Sequence, residues 1–415
     1  MAAIELEQRV IERELCTGCG TCMGVCPTGA IRYENDRIRV DHDRCIQCGR
    51  CYRACPGESF PMETFSQEVF GMSYEPQETL GHVLEIWNVK ATDKQNREQG
   101  ASGGAVTQLG IDLLESGEVE GVVAVRASRE NPCEFESFIA RNRGELLGAA
   151  RSKYVILPVN QILEEIRKEK GRIAFVGLPC QVQGLRKAMA QDEVLQEKIA
   201  VIISLFCGFN MERKATEYLI RKSGIPNGQI QELDYRKKRA GETGFYVAGK
   251  NGRTFFLPKH GYTFLNLLYA PKRCWKCFDY SGEFADLSVG DAWEEAGGTS
   301  RVIVRTERGR QFLERSVQRG TLQAALCEAE KIKKTQKMVT VYKKKVIDIR
   351  AARMRTFPEY GIMLPKSRGK ERLYGYALYL ILSFFKTGPG RTLARCLPLQ
   401  LFSRVSARLK RKEIH

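Results

Sequence analysis

"GRIAFVGLPCQVQGLRKAMA" (residues 171–190) decides how this chain is read. "GRIAFVG" is a short apolar run that predicts a buried strand, "LPC" a tight turn, and "QVQGLRKAMA" a helix. The same order recurs on both sides. "VLEIWNVKA" (83–91) predicts a strand, followed by the loop "NREQGASGG", the helix "AVTQLGIDLLESG" and the strand "VEGVVAVRAS". "KIAVIISLF" (198–206) predicts another strand, "CGFN" a turn, and "MERKATEYLIRKSG" a helix. Repeated strand–turn–helix units imply an α/β domain with a mostly parallel or mixed sheet covered by helices. Ligands of such sheets sit outside the carboxyl ends of the strands, so "GASGG" (100–104), Cys180 and Cys207 are expected on one rim.

Ahead of this pattern, residues 16–27 read "CTGCGTCMGVCP" and residues 45–56 read "CIQCGRCYRACP". Both are C-x₂-C-x₂-C-x₃-C-P, the run of bacterial two-cluster ferredoxins, in which the fourth cysteine serves the other cluster. Cys16, Cys19, Cys22 and Cys55 are thus assigned to one 4Fe–4S cluster, and Cys45, Cys48, Cys51 and Cys26 to the other. Small residues such as Gly18, Gly20 and Gly49 let the loops wrap and turn N–H groups inward. Two zinc knuckles also use C-x₂-C pairs, but they leave the third cysteine and the C-P ending without a purpose. With nine acidic residues against eight arginines in residues 1–60, this α+β ferredoxin-like segment is near neutral and reads as a built-in wire.

The 415 residues allow two or three domains. Fifteen cysteines behind a charged start without a signal-peptide core suggest metal-bound thiolates in a reducing cytoplasm. Only four histidines are present, which argues against sites built from several imidazoles. The expected divisions are a ferredoxin domain (1–60), a linker (61–82), the α/β domain (83–355) and a basic tail (356–415). Residues 366–415 carry twelve Lys or Arg and two Glu, ten of the net +17 charges. Nothing in this pattern calls for nucleic acid.

"PKRCWKCFDYSGEFADLSVGDAW" (271–293) adds Cys274 and Cys277. With Cys180 and Cys207 these make four further thiolates, enough for one more metal site. Inert packing is the expectation for Cys133, Cys327 and Cys396. "GASGG" opens a helix, and its N–H groups suit a phosphate or flavin edge. The plainer reading is a helix start with Ser102 as N-cap.

"ASGGAVTQLGIDLLESGEVEGVVAV", "SKYV", "GLPCQVQGLRK", "LFCGFN" and "CWKCFDYSGEFADLSVGDAW" together resemble the coenzyme F420 hydrogenase/dehydrogenase beta-subunit family over residues 83–350. That resemblance implies FAD and a 4Fe–4S cluster in the α/β domain. Cys180, Cys207, Cys274 and Cys277 become candidate ligands of a third cluster. Ser102, Gly103, Gly104, Lys153, Asn210 and Asp291 become candidate flavin contacts, with Lys153 as the group to polarise the flavin N1–C2=O edge or else a plain surface lysine. It further implies electron exchange between a hydride carrier, foremost coenzyme F420, and a ferredoxin or redox-complex partner. The alternatives are a ferredoxin-dependent reductase of another organic substrate, like 7-hydroxymethyl chlorophyll a reductase, or a non-catalytic relay subunit. The runs "YRKKR" (235–239) and "KIKKTQK" (331–337) offer positive charge to an acidic carrier, or are simply solvated.

"LYGYALYLILSFF" (373–385) is too short to span a bilayer. "LFSRVSARLKRK" (401–412) sets Leu401, Phe402, Val405 and Leu409 on one helical face among cations. That pattern fits peripheral contact with the cytoplasmic membrane face, docking on a partner, or packing on the chain itself.

Overall fold

The computed structural model describes residues 2–239, 241–292 and 298–396. The strands among them are β1 (Ile31–Glu34), β2 (Arg37–Val40), β3 (Glu85–Ala91), β4 (Gly121–Ala127), β5 (Phe135–Ala140), β6 (Ile173–Gly177), β7 (Ile199–Leu205), β8 (Ile230–Arg239), β9 (Glu242–Gly249), β10 (Thr254–Pro258), β11 (Leu287–Asp291), β12 (Ser300–Val304) and β13 (Leu322–Leu326). Eight of them form one mixed sheet in the order β13-β3-β12-β11-β7-β6-β4-β5. Its centre, β4-β6-β7-β11, is parallel. β5 flanks β4 antiparallel, and β12, β3 and β13 extend the β11 side antiparallel. Four strands therefore separate β3 from β4, and the first strand–turn–helix unit is not adjacent to the second. Both β3 and β11 oppose β12, so β3 runs with the parallel four, and its carboxyl end shares their rim.

The central strands β6, β7, β11 and β12 are buried on both faces, which is why they read as continuous apolar runs. Along β6, Ile173 and Phe175 enter one core while Ala174 enters the other. The helix Pro179–Met189 follows β6 with proline at its first position, where a missing N–H costs nothing. A second sheet, β10-β9-β8, packs its apolar face on the helix Arg213–Ser223 through Phe245, Val247, Leu219 and Tyr235.

The N-terminal module has a β1–β2 hairpin and two one-turn helices, Thr21–Gly24 and Arg50–Arg53. Its duplicated loops adopt the same backbone. Gly18 and Gln47 share the left-handed region at φ 67° and 54°. The module is seated closely on the α/β domain: a Cβ on Gly184 would lie 2.1 Å from Thr21 Oγ1, and one on Gly24 would lie 2.1 Å from the Asn160 carbonyl. Only glycine permits that approach. Asn160 stitches the seam, donating its Nδ2–H to Thr21 Oγ1 and to the Gln181 carbonyl, both at 2.8 Å, and its N–H to the Cys19 carbonyl at 2.9 Å.

Residues 61–82, expected as a linker, contain the helix Met62–Phe70 and are woven into the main core through Met62, Phe65 and Tyr74. Polar residues between these anchors masked their spacing. Further on, the helix Gly369–Lys386 lies against the body: Gly375 meets Val346 and Ile349, and Leu382 packs beside Trp275 and Tyr342. The expected amphipathic segment 401–412 lies outside the described residues. Among the described residues no helix is long and apolar enough to cross a membrane.

Candidate functional site

The eight N-terminal cysteines fall into two interleaved sets. A pocket is lined by Cys45, Cys48, Cys51 and Cys26, closed by Ile31, Val40 and Ile46. The Cys55 thiol is instead pushed up to about 12, by burial first and then by the nearby charges of Cys19 and Cys16. Cys22, raised chiefly by burial, also feels Cys55, Cys16 and Cys19. The crossing over of each fourth cysteine is thus present in space. Equivalent N–H groups point at sulfur in both loops: Gly18 donates to Cys16 Sγ and Gln47 to Cys45 Sγ, each at 3.4 Å. Ala30 donates to Cys26 Sγ at 3.3 Å and Gly57 to Cys55 Sγ at 3.4 Å. Buried thiols held as thiolates need an offsetting cation, so this donor set fits an iron–sulfur group. Among the described residues no three His, Cys, Asp or Glu side chains close on the space of a single metal ion.

Cys180, Cys207, Cys274 and Cys277 also come together. Burial raises the Cys180 thiol, followed by the charges of Cys19, Cys207, Cys274 and Cys277. Cys19 belongs to the first N-terminal set, so the two sets are neighbours. Between them lies Arg273, 3% exposed, which donates to the carbonyls of Gly57 and Pro56 and to the Tyr360 hydroxyl. Lys187 caps the same seam, donating to the carbonyls of Cys55 and Ser59 at 2.7 and 2.9 Å. Lys343, 2% exposed, enters the third set from the far side. It donates to the carbonyls of Cys207 and Asp279 at 2.9 and 3.0 Å and stands 3.4 Å from Cys277 Sγ. Burial would lower its pKa, but the Cys277, Cys207 and Cys274 thiols and Asp279 outweigh that and raise it. Of the cysteines expected to be inert, Cys133 packs against the second sheet's core and Cys327 lies partly buried beside Arg301; the Cys396 side chain is outside the described part.

The six residues assigned to a flavin edge divide. Gly104, not Ser102, is the N-cap of the helix Ala105–Glu115, and its φ of 74° explains the glycine. Ser102 Oγ donates to the Thr299 carbonyl at 2.6 Å, and the Gly103 N–H donates to Ser300 Oγ at 3.1 Å, so the loop is sewn to β12. Asn210 spends its amide on the Val155 carbonyl and the Met211 N–H. Lys153 donates to the carbonyls of Ala149, Ala150 and Arg151, and burial lowers its pKa to about 8. Asp291, at the carboxyl end of β11, receives Arg236 Nη1 at 2.8 Å and has Lys259 Nζ 3.8 Å away. Burial would raise its carboxyl, yet Arg236 and Lys259 hold it below the usual range.

Around Asp291 the tertiary structure gathers residues not assigned from the sequence. A bulge between Asp234 and Lys237 turns Asp234, Tyr235 and Arg236 all inward. Arg236 Nη2 donates to the Ala101 carbonyl at 2.6 Å, and Lys238 donates to the carbonyls of Arg97 and Ser102. Arg151, in the left-handed region at φ 74°, pairs with Asp234. Tyr154, whose burial alone would raise it, is lowered to about 8 by Lys259 and Arg236. Arg151, Lys153, Arg236, Lys238 and Lys259 set five cations against Asp234 and Asp291, an excess of 5 − 2 = 3 beside "GASGG". The run "YRKKR" held the signal for two of these residues.

A duplicated cysteine module docked on an α/β domain that carries a third cysteine set defines an iron–sulfur oxidoreductase subunit. Residues 8–56 match the model of the 4Fe-4S dicluster domain. Residues 86–164 and 170–347 match the N-terminal and C-terminal models of the coenzyme F420 hydrogenase/dehydrogenase beta subunit, and the chain belongs to that family. It is 28% identical over 248 residues to the beta subunit of coenzyme F420 hydrogenase from Methanococcus voltae, covering 59% of this chain and 85% of that one. It is 27% identical over 317 residues to the coenzyme F420-dependent sulfite reductase of Methanocaldococcus jannaschii, 73% of this chain but 46% of that protein. In fold it is similar to a chain of the F420-reducing [NiFe] hydrogenase complex from Methanosarcina barkeri, with a TM-score of 0.55 and 22% identity over 68% of this chain and 98% of that one.

Proposed function

We propose that the chain exchanges electrons between coenzyme F420 and a redox partner, using FAD and three 4Fe–4S clusters. The observation that carries this reading is the succession of three cysteine sets. Cys180, Cys207, Cys274 and Cys277 would hold the innermost cluster; Cys16, Cys19, Cys22 and Cys55 the middle one; Cys45, Cys48, Cys51 and Cys26 the outer one. When bound, a flavin exchanges a hydride for single electrons, which such clusters pass on. The chain's own residues fit these tasks. The cations around Asp291 suit the diphosphate of FAD or the acidic tail of F420. Lys343 and Arg273 offset negative charge on the buried thiolates. Cys48 and Ile46 are exposed on the outer loop, where a ferredoxin or partner subunit would dock. The equivalent inner loop is covered: a Cβ on Gly18 would sit 2.4 Å from Ile156 Cγ2.

Anaerobic analysis of iron, sulfide and flavin tests the proposal. The expected content is about twelve irons per FAD. About eight irons removes the third cluster from it; absence of flavin reduces the chain to a relay. Viologen-coupled oxidation of reduced F420 then distinguishes this carrier from another organic substrate.

A further inference from the structure

Past residue 347, where the family match ends, the helix Gly369–Lys386 has two apolar faces. Gly375, Leu378 and Leu382 face the body. Leu373, Ala377, Leu380, Ile381 and Phe384 recur at i, i+4, i+7, i+8 and i+11, one stripe of a helix, on the outside. Leu373 is 74% exposed, Leu380 63%, Ile381 47% and Phe384 45%. Four exposed cations, Lys366, Arg368, Lys370 and Arg372, crowd the start of the helix, and Lys370 lies three residues before Leu373 on the line of the stripe. The neighbouring acid, Glu371, is paired with Lys345 at 2.9 Å. Beyond the helix the sequence stays basic: residues 387–415 carry seven Lys or Arg and one Glu, an excess of 7 − 1 = 6.

We propose that this outward face docks on an anionic lipid bilayer, with the helix lying in the plane of the headgroups. The apolar stripe is a single convex ridge about 16 Å long, too short to cross and suited to lie along an interface. A stable protein interface buries about 800 Å² per partner and is depleted of lysine; this ridge is narrow and opens beside the exposed Lys366 and Lys370. Apolar insertion and basic attraction are the two signals that together hold a peripheral protein on a membrane. The reading is independent of the redox function proposed above.

The test is flotation of the full-length holoprotein with vesicles of phosphatidylcholine and phosphatidylglycerol (three to one), against pure phosphatidylcholine. The wild type is expected to float with the anionic vesicles, to stay down with the neutral ones, and to be released by high salt. Leu380→Glu/Phe384→Glu should cut the bound fraction more than tenfold with unchanged iron content and thermal unfolding, and Lys370→Glu/Arg372→Glu should weaken binding to anionic vesicles. Wild-type protein that stays down with both vesicles overturns the proposal. So does a gel-filtration dimer that Leu380→Glu/Phe384→Glu converts to monomer without altering flotation, which would make the ridge a contact between two copies of the chain.

Discussion

Replacing Lys343 by methionine tests the assignment of the third cysteine set most directly. Methionine keeps the length and flexibility of the side chain and removes its charge and three donors. The ammonium is buried 3.4 Å from Cys277 Sγ. For an electron spread over a cluster centred about 6 Å away, with an effective dielectric constant of about 20, the attraction is about 3 kcal/mol. At about 59 mV per tenfold change in equilibrium constant for one electron, losing that charge lowers the midpoint by about 120 mV. The carbonyls of Cys207 and Asp279 also lose their donor, which costs about 2–4 kcal/mol of stability in total. The assay is a redox titration followed by electron paramagnetic resonance, with iron content measured on the same samples. One of three cluster signals should move down by about 100 mV while the other two hold. A fully loaded variant whose three midpoints all lie within about 20 mV of the wild type would refute the placement of Lys343 beside a cluster.

Cys180→Ala should lower iron from about twelve to about eight atoms and leave the two ferredoxin-type signals intact; loss of all iron would show that the sets do not load separately. Gly184→Val places a side chain where Thr21 Oγ1 already stands, at 2.1 Å, so it should destabilise the seam by about 1–3 kcal/mol in thermal unfolding. Titration of the flavin-depleted protein by near-ultraviolet phenolate absorbance should reveal a tyrosine ionising near pH 8, absent in Tyr154→Phe and shifted upward in Lys259→Met. Since the folded pKa is depressed, the phenolate's contribution to stability is complete above about pH 10, where an unfolded tyrosine ionises, and fades as pH falls through about 8. A stability difference between wild type and Tyr154→Phe that grows as the pH is lowered would contradict that sign.

How much was legible in the sequence depends on how local each feature is. The strands at 171–177 and 198–206 announced themselves because a strand buried on both faces needs no partner to be recognised. Residues 61–82 did not, because Met62, Phe65 and Tyr74 meet the core at intervals that match no single period. Cys180 and Cys207 were placed correctly on the rim of the sheet, since a turn after a parallel strand must lie at its carboxyl end. Their nearness to Cys274 and Cys277 could be supposed from number alone, and to Cys19 not at all. Lys153 and Asn210 were singled out by wording, yet their side chains are engaged by neighbouring main chain, a matter of rotamer and packing.

By itself the sequence determined the two N-terminal thiol sets, because their ligands come from tight loops whose spacing and glycines dictate where sulfur can point. It also determined the α/β class, through runs whose length and turns leave few alternatives. Only the tertiary structure decided which of the two repeated loops is covered and which is open: Ile156 closes on Gly18 in the first, while the second carries Gln47 at the equivalent, exposed position. Only it brought Lys343, Arg273 and Arg236 to buried positions beside thiols and Asp291. Electrostatic partnership acts through space and ignores separation along the chain, so these charges became readable once packing had set their distances.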